Sequence, residues 1–221
     1  MQTYQITIKV PSGFVTPWHA DTVFGHLCWV AERHDCFKRF SGAAGLIELF
    51  RGSDPPFILS DGFPGGLLPA PVTLKNLYRR AENGEVDVAQ YDLMKRAKKA
   101  AYITIEEFLS FQQGNVPALS DFDQKDFVTA TVLHNTISRI TNTTGSQGSL
   151  YESDEKYAAN GEIQIYIKIK DGFEDDVRLL FNKFAQGSYG AKKSTGKGTF
   201  SIKSFISFSA FDSKVGNKDR K

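Results

Sequence analysis

An isoleucine alternation near residue 165 constrains the fold more than any other feature of this chain. Isoleucine occupies every second position from Ile163 to Ile169, with polar or aromatic residues between. This is the pattern of a β-strand with one buried face. Similar strands are predicted at residues 4–10, 127–133 and 199–208. Such strands need a sheet with a covered face, so the sequence predicts a sheet-based fold.

Two amphipathic stretches are predicted to form helices that cover the buried face of the sheet. Residues 21–33 have a broad apolar face and begin at Asp21 or Thr22, either of which could cap a helix. A second helix is predicted from Glu174, because acidic residues stand in its first turn and Val177, Leu180, Phe181 and Phe184 share one face. The predicted order is βαββαβ, an α+β ferredoxin-like (RRM-like) arrangement in which two helices cover one face of a four-stranded antiparallel sheet.

The remaining residues are read as elaborations of one domain spanning residues 1–221. An insertion is predicted at about residues 41–125. Residues 41–76 of this insertion are rich in glycine and proline, so we expect them to form an irregular segment that packs on the body of the protein. Two helices are predicted after it, at 74–81 and 88–101. A polar hairpin is predicted at about residues 134–152, and a glycine-rich loop at 187–198 precedes the last strand.

Composition narrows the class of protein. The 221 residues are 41% hydrophobic and include 18 phenylalanines, which argues against disorder. Only two cysteines are present, and no apolar run approaches the roughly 20 residues that span a bilayer. We therefore expect a soluble cytoplasmic protein without a membrane partner.

Charge is distributed unevenly. Residues 190–221 carry eight Lys or Arg against two Asp, a net charge of +6, so residues 1–189 carry −4 of the total of +2. A basic end on a mildly acidic body suggests a localised polyanion contact, although residues 212–221 alone are better read as a solvated tail.

The glycine-rich loop is the strongest candidate site. Its glycines permit close backbone approach and its lysines are closely spaced, a combination that suits a phosphate backbone. The loop differs from a P-loop in spacing and lies between a helix and a strand. The predicted RNA contacts are Gly187, Tyr189, Gly190, Lys192, Lys193, Ser194, Gly196, Lys197 and Gly198. Tyr189 could either stack on a base or pack internally.

Histidines outside the loop are weaker candidates. His19 and Asp21 could form an acid–base pair, but a helix start explains them more simply. His134 could act as a general acid–base beside a basic loop, and Arg139 could hold a phosphate. Without a second base, the sequence favours binding or a structural role over catalysis, and His19, His134, Asn135 and Arg139 are expected as second-tier RNA contacts. No metal site or cofactor is predicted.

Four segments, in order, resemble a known family. They closely resemble the RAMP-type subunit that is the fourth component of the type III-A CRISPR interference assembly, the Csm complex. The segments are PWHADTVFGHLCW at 17–29, PPFILSDGFPGGLLPAP at 55–71, HNTISRIT at 134–141 with LYE at 150–152, and GSYGAKKSTGKGTF at 187–200.

The resemblance implies a non-catalytic role. Such subunits grip the 5′ repeat-derived tag of the CRISPR RNA and join the large polymerase-like subunit to the first backbone RAMP subunit. Members of the family continue into a second ferredoxin-like half, so this chain is expected to be a truncated or reduced form lacking most of that half. The alternatives are a metal-independent RAMP endoribonuclease that processes precursor CRISPR RNA through His134 or His19, and an architectural subunit with weak RNA contacts.

Overall fold

The computed structural model describes residues 1–73, 88–115, 119, 127–144 and 150–211. Within these ranges the strands are β1 (Gln2–Lys9), β2 (Phe57–Pro64), β3 (Leu67–Pro69), β4 (Tyr102–Thr104), β5 (Phe127–Asn135), β6 (Leu150–Ala158), β7 (Glu162–Ile169) and β8 (Ser201–Ser207). The helices are α1 (Ala20–Arg33), α2 (Gly42–Phe50), α3 (Val88–Lys99), α4 (Ile105–Gln112) and α5 (Glu174–Phe184). Among the described helices, none has the length and apolar character needed to cross a membrane.

A four-stranded antiparallel sheet forms the centre of the protein. Its strand order is β2-β7-β1-β8, and β1 pairs with both β7 and β8. In the β1–β7 register Ile6 faces Ile165 and Ile8 faces Ile163, so the two alternating isoleucine stretches share one face. The prediction of an α+β protein built on an antiparallel sheet is confirmed.

Helices α1 and α5 cover the isoleucine face. Val23, Leu27 and Ala31 of α1 recur every four residues and are fully buried against it. Helix α5 contributes an equivalent stripe, and its three acidic residues stand in the first turn as predicted. The stripe comprises Val177, Leu180, Phe181 and Phe184.

The opposite face of the sheet is also covered. Gln5 is buried there and its Nε2 donates to the hydroxyl of Tyr166 at 3.1 Å. The rings of Phe208 and Phe211 lie 5.2 and 5.1 Å from that of Tyr166. The chain after β8 therefore folds back over this face.

The second strand of the sheet differs from the prediction. Residues 127–133 do form a strand, but β5 pairs with β6 in a separate two-stranded ribbon. The position next to β7 is taken by β2, from the stretch predicted to be irregular. That prediction was wrong for β2, and it also missed helix α2.

The glycine and proline of β2 misled the sequence interpretation because both fit an edge strand with a bulge. The β2–β7 register shifts between Leu59 and Gly62, and a Cβ on Gly62 would lie 2.7 Å from Cβ of Trp18. Pro64 ends an edge strand, where a missing N–H donor is tolerated.

The other elaborations agree in part with the prediction. Helix α3 matches the helix expected at 88–101, whereas the helix expected at 74–81 lies outside the described residues. The polar hairpin is the end of the β5–β6 ribbon, and its residues 145–149 also lie outside them.

Candidate nucleic-acid interface

The glycine-rich loop is closed at its base and docked on the body. An isolated bridge joins Ser188 to Thr199, and the amide of Tyr189 donates to the carbonyl of Gly198 at 2.8 Å. The amide of Gly198 donates to the carbonyl of Gly13 at 3.0 Å. The tip is a single 3-10 turn, Lys193–Thr195. These hydrogen bonds therefore fix the position of the loop relative to the body of the protein.

The loop glycines serve different purposes. A Cβ on Gly198 would lie 1.9 Å from the carbonyl oxygen of Tyr189, and one on Gly190 would lie 2.6 Å from Cβ of Thr16. A Cβ on Gly196 would meet open space, and Gly187 has only ordinary contact with the Phe184 carbonyl. Close approach at Gly190 and Gly198 is therefore to the protein itself, while Gly196 leaves room for an external group.

Tyr189 packs internally. It is 1% exposed, and its ring stacks on Trp18 with centroids 3.9 Å apart and an interplanar angle of 15°. Its hydroxyl donates to the carbonyl of Pro17 at 2.5 Å. Burial is the main cause that raises the pKa of Tyr189 to about 12. Tyr189 could have stacked on a base or packed internally, and this geometry favours internal packing because no ring face is left exposed for a base.

The three loop lysines have different environments. Nζ of Lys197 lies 2.7 Å from Oε2 of Glu155, a fully buried carboxylate on β6. Nζ of Lys192 is buried without a hydrogen bond and lies 5.2 Å from the ring centroid of Tyr151. Lys193 is exposed, and no described carboxylate pairs with it. Together with the exposed Ser194, Lys193 is the loop side chain best placed to meet a phosphate.

The Lys197–Glu155 pair joins the loop to the β5–β6 ribbon. Burial opposes the charged form of Glu155, but hydrogen bonds from Lys197 and Tyr157, with the charges of Lys197 and His134, outweigh it and lower the pKa of Glu155. The hydrogen bond to Glu155 is likewise the main cause that raises the pKa of Lys197. Lys197 is thus occupied in holding the ribbon.

The predicted hairpin residues lie on this ribbon. Nε2 of His134 lies 2.8 Å from Oγ of Ser153 and 3.9 Å from Oε1 of Glu155, and its ring stacks on Tyr151 at 5.0 Å. Asn135 and Arg139 are exposed near the end of the ribbon. His134 shares Glu155 with Lys197 and Tyr151 with Lys192, so these contacts bring the three residues together. The basic residues at 214–221 lie outside the described residues.

His19 lies at the start of α1 beside Asp61 of β2. His19 is the N-cap residue, so neither Asp21 nor Thr22 occupies the predicted cap position, and the His19 side chain makes no capping hydrogen bond. Oδ1 of Asp61, on β2, accepts from the amide of Ala20 at 2.7 Å, and its Oδ2 lies 3.4 Å from Nδ1 of His19. The simpler explanation, a helix start, fits the geometry, because Asp21 accepts from the amide of Thr22 and not from His19.

A basic cavity beside the loop was missed at the sequence level. It has a volume of about 470 Å³ and lies between α1, the end of α5 and the start of the loop. Residues 26, 29, 30 and 33 of α1 line one side, a helical spacing that could have identified this face. Nε2 of His26 accepts from the amide of Gly190 at 3.2 Å, which ties the loop to α1.

The His26 contact predicts a pH dependence. Burial, and then the charge of Lys193, lower the pKa of His26 below its usual value. The folded state therefore favours the neutral ring, and this stabilisation, present above the unfolded pKa of about 6.5, is lost as the pH falls through the folded value. The variant His26→Gln keeps a hydrogen-bond acceptor but cannot titrate. Its Tm should therefore fall less between pH 7.5 and pH 5 than the Tm of the wild type, as measured by thermal unfolding. Parallel pH profiles would contradict the assignment.

Comparisons with known proteins identify the fold. No protein-family model matches the chain, and no curated protein matches it. Among solved structures, it is similar to a chain of a Csm1–Csm4 cassette in complex with AMPPNP, with a TM-score of 0.62 and 16% identity over 93% of this chain and 71% of that one. For a Csm1–Csm4 cassette in complex with pppApA the TM-score is 0.63 and the identity 15%, over 93% of this chain and 70% of that one.

A more distant likeness extends the same result. The chain is similar to one from the type III-B Cmr-beta complex bound to cognate target RNA, with a TM-score of 0.51 and 9% identity over 95% of this chain and 61% of that one. At such identities the likeness concerns the fold. The chain therefore shares its fold with components of a Csm1–Csm4 cassette and of a Cmr-beta complex.

Proposed function

We propose that this chain is a non-catalytic RNA-binding subunit of a cytoplasmic type III CRISPR effector of the type III-A kind. In this role it anchors the 5′ repeat-derived tag of the CRISPR RNA and bridges the large polymerase-like subunit to a backbone RAMP subunit. The β2-β7-β1-β8 order and the two covering helices support a ferredoxin-like RAMP domain. The fold shared with a chain of the Csm1–Csm4 cassettes supports the choice of assembly.

One observation carries the RNA-binding part of the proposal. The glycine-rich loop is held against the β5–β6 ribbon, so the exposed Lys193 and Ser194 lie on a loop whose neighbouring ribbon ends in exposed Asn135 and Arg139. Cations and amides on two adjacent elements suit an RNA strand recognised through phosphates and 2′-hydroxyls. His134, Lys192 and Lys197 then act mainly by positioning loop and ribbon.

The test measures binding and cleavage together. The purified chain is incubated in EDTA with labelled repeat-containing RNA across a salt series. Salt-sensitive binding to the 5′-tag region with intact RNA is the expected result. Specific cleavage without metal, abolished by His134→Ala or His19→Ala, would replace this proposal by the processing endoribonuclease. Salt-independent, weak binding would favour an architectural subunit.

Lys193→Ala should weaken RNA binding in a salt-dependent way. Loss of one phosphate contact reduces the magnitude of the slope of log affinity against log salt by about 0.7 for a single strand. Lys98→Ala on α3 removes another exposed lysine and is the matched control. An unchanged slope for Lys193→Ala, or an equal change for Lys98→Ala, would contradict the assignment of Lys193 as a phosphate contact.

A further inference from the structure

The cavity between α1 and α5 has the composition of an anion site. Its cationic lining residues are Arg33 of α1, Lys183 of α5 and Lys193 of the loop, and the lining contains no carboxylate. None of the three cations is ion-paired with a described acid. Three cations around one concave volume without a counter-charge favour an anionic ligand.

The cavity also offers an aromatic surface. Trp29 lines it and is 63% exposed, whereas Trp18, the other tryptophan of the chain, is 3% exposed. The guanidinium carbon of Arg33 lies 5.8 Å from the centroid of the Trp29 ring. An indole beside an arginine is the kind of platform on which nucleic-acid bases stack.

Polar groups at the inner wall complete the site. His26 is held in place by the Gly190 amide and by its ring contact with Phe184 at 5.4 Å, and Gln186 and Ser188 add side-chain donors and acceptors. Because Nε2 of His26 accepts a hydrogen bond, its neutral ring carries the proton on Nδ1. The volume of about 470 Å³ falls within the range of small-ligand pockets.

We propose that this cavity binds a single unstacked nucleotide of the RNA strand. Its base stacks on Trp29, and its phosphate contacts Arg33, Lys183 and Lys193. This inference rests on the proposed function and adds a pocket for one nucleotide to the backbone contacts of the loop. Lys193 lies on both surfaces, so the strand can run from the loop tip into the cavity.

The fluorescence of Trp29 provides a direct test. The full chain is titrated with single-stranded repeat RNA and, separately, with adenosine 5′-monophosphate. Base stacking should quench the exposed Trp29 while the buried Trp18 is little affected, and Trp29→Phe should abolish the quenching. Quenching by both probes indicates a mononucleotide pocket, and quenching by RNA alone indicates that the nucleotide must be part of a strand; both support the proposal. Absence of quenching by RNA that binds would overturn it.

Affinity measurements separate the pocket from the proposed function. Trp29→Ala and Arg33→Ala should each weaken RNA binding about tenfold, since stacking is worth about 1–3 kcal/mol per base by alanine substitution. Tyr91→Ala, which removes an exposed aromatic of α3, is the matched control and should have no effect. All three positions are exposed, so unchanged Tm values should accompany these results.

The possible outcomes are distinct. If the wild type binds no RNA, the proposed function fails. If it binds RNA and only Lys193→Ala weakens binding, the function stands and the nucleotide pocket is refuted. If an acidic probe, polyglutamate, binds in a Trp29-dependent way while RNA binding is independent of Trp29, the face docks an acidic protein segment and the proposal is likewise overturned.

Discussion

Gly198→Ala is expected to destabilise the protein by about 3 kcal/mol, because the new Cβ would lie 1.9 Å from the Tyr189 carbonyl oxygen. The residue also has a φ of +66°, which disfavours any side chain. Relief of the clash must disturb the hydrogen bonds that Gly198 makes with Tyr189 and Gly13. For a chain of this size the loss corresponds to a fall in Tm of about 6–12 °C.

Gly196→Ala is the matched control for this substitution. Gly196 has a similar φ of +80°, but a Cβ there meets no atom within 4 Å. Only the backbone term applies, so we expect a loss of about 1 kcal/mol. Urea or thermal unfolding followed by circular dichroism measures both. Equal losses would show that the docking of the loop against Tyr189 contributes little to stability.

Lys197→Met should cost about 3 kcal/mol of the free energy of unfolding, since it leaves the carboxylate of Glu155 buried without its cation. Glu155→Leu should also destabilise, because it leaves the Lys197 ammonium without its acceptor. The double variant should lose clearly less than the sum of the two, as expected for groups in one buried pair. Additive losses would argue against an energetic link between the loop and the ribbon at this pair.

The pH dependence of Lys197→Met provides a second readout. In the wild type the lowered pKa of Glu155 gives stability that is present above its unfolded pKa, about 4.3, and lost as the pH falls through the folded value. Without Lys197, burial is opposed only by the Tyr157 hydrogen bond and the His134 charge, so the folded pKa of Glu155 rises. The stability lost on acidification is then smaller than in the wild type. Thermal unfolding between pH 3 and pH 7 should show a flatter profile for Lys197→Met, while an unchanged profile would contradict it.

Short-range patterns were sufficient for the elements with a clear strand or helix periodicity. The alternation at residues 163–169 and the spacing of Val177, Leu180, Phe181 and Phe184 depend only on strand and helix periodicity. Both elements were therefore predicted, as were α1 and the strands of β1 and β8. Residues 57–64 could not be assigned in this way, since a bulged edge strand and an irregular loop share glycine and proline.

The candidate site shows the same division. The glycine-rich loop was found from composition, because clustered glycine and lysine are visible in the sequence alone. The partners of its residues were not: Lys197 meets Glu155 and Tyr189 meets Trp18 across 42 and 171 positions of sequence, from elements that only folding brings together. Sequence by itself thus determined strands β1, β5, β7 and β8, helices α1, α3 and α5, and the location of the basic loop. Tertiary structure decided which strand completes the sheet, which lysine remains exposed and where the basic cavity lies, because each depends on contacts between residues distant in the chain.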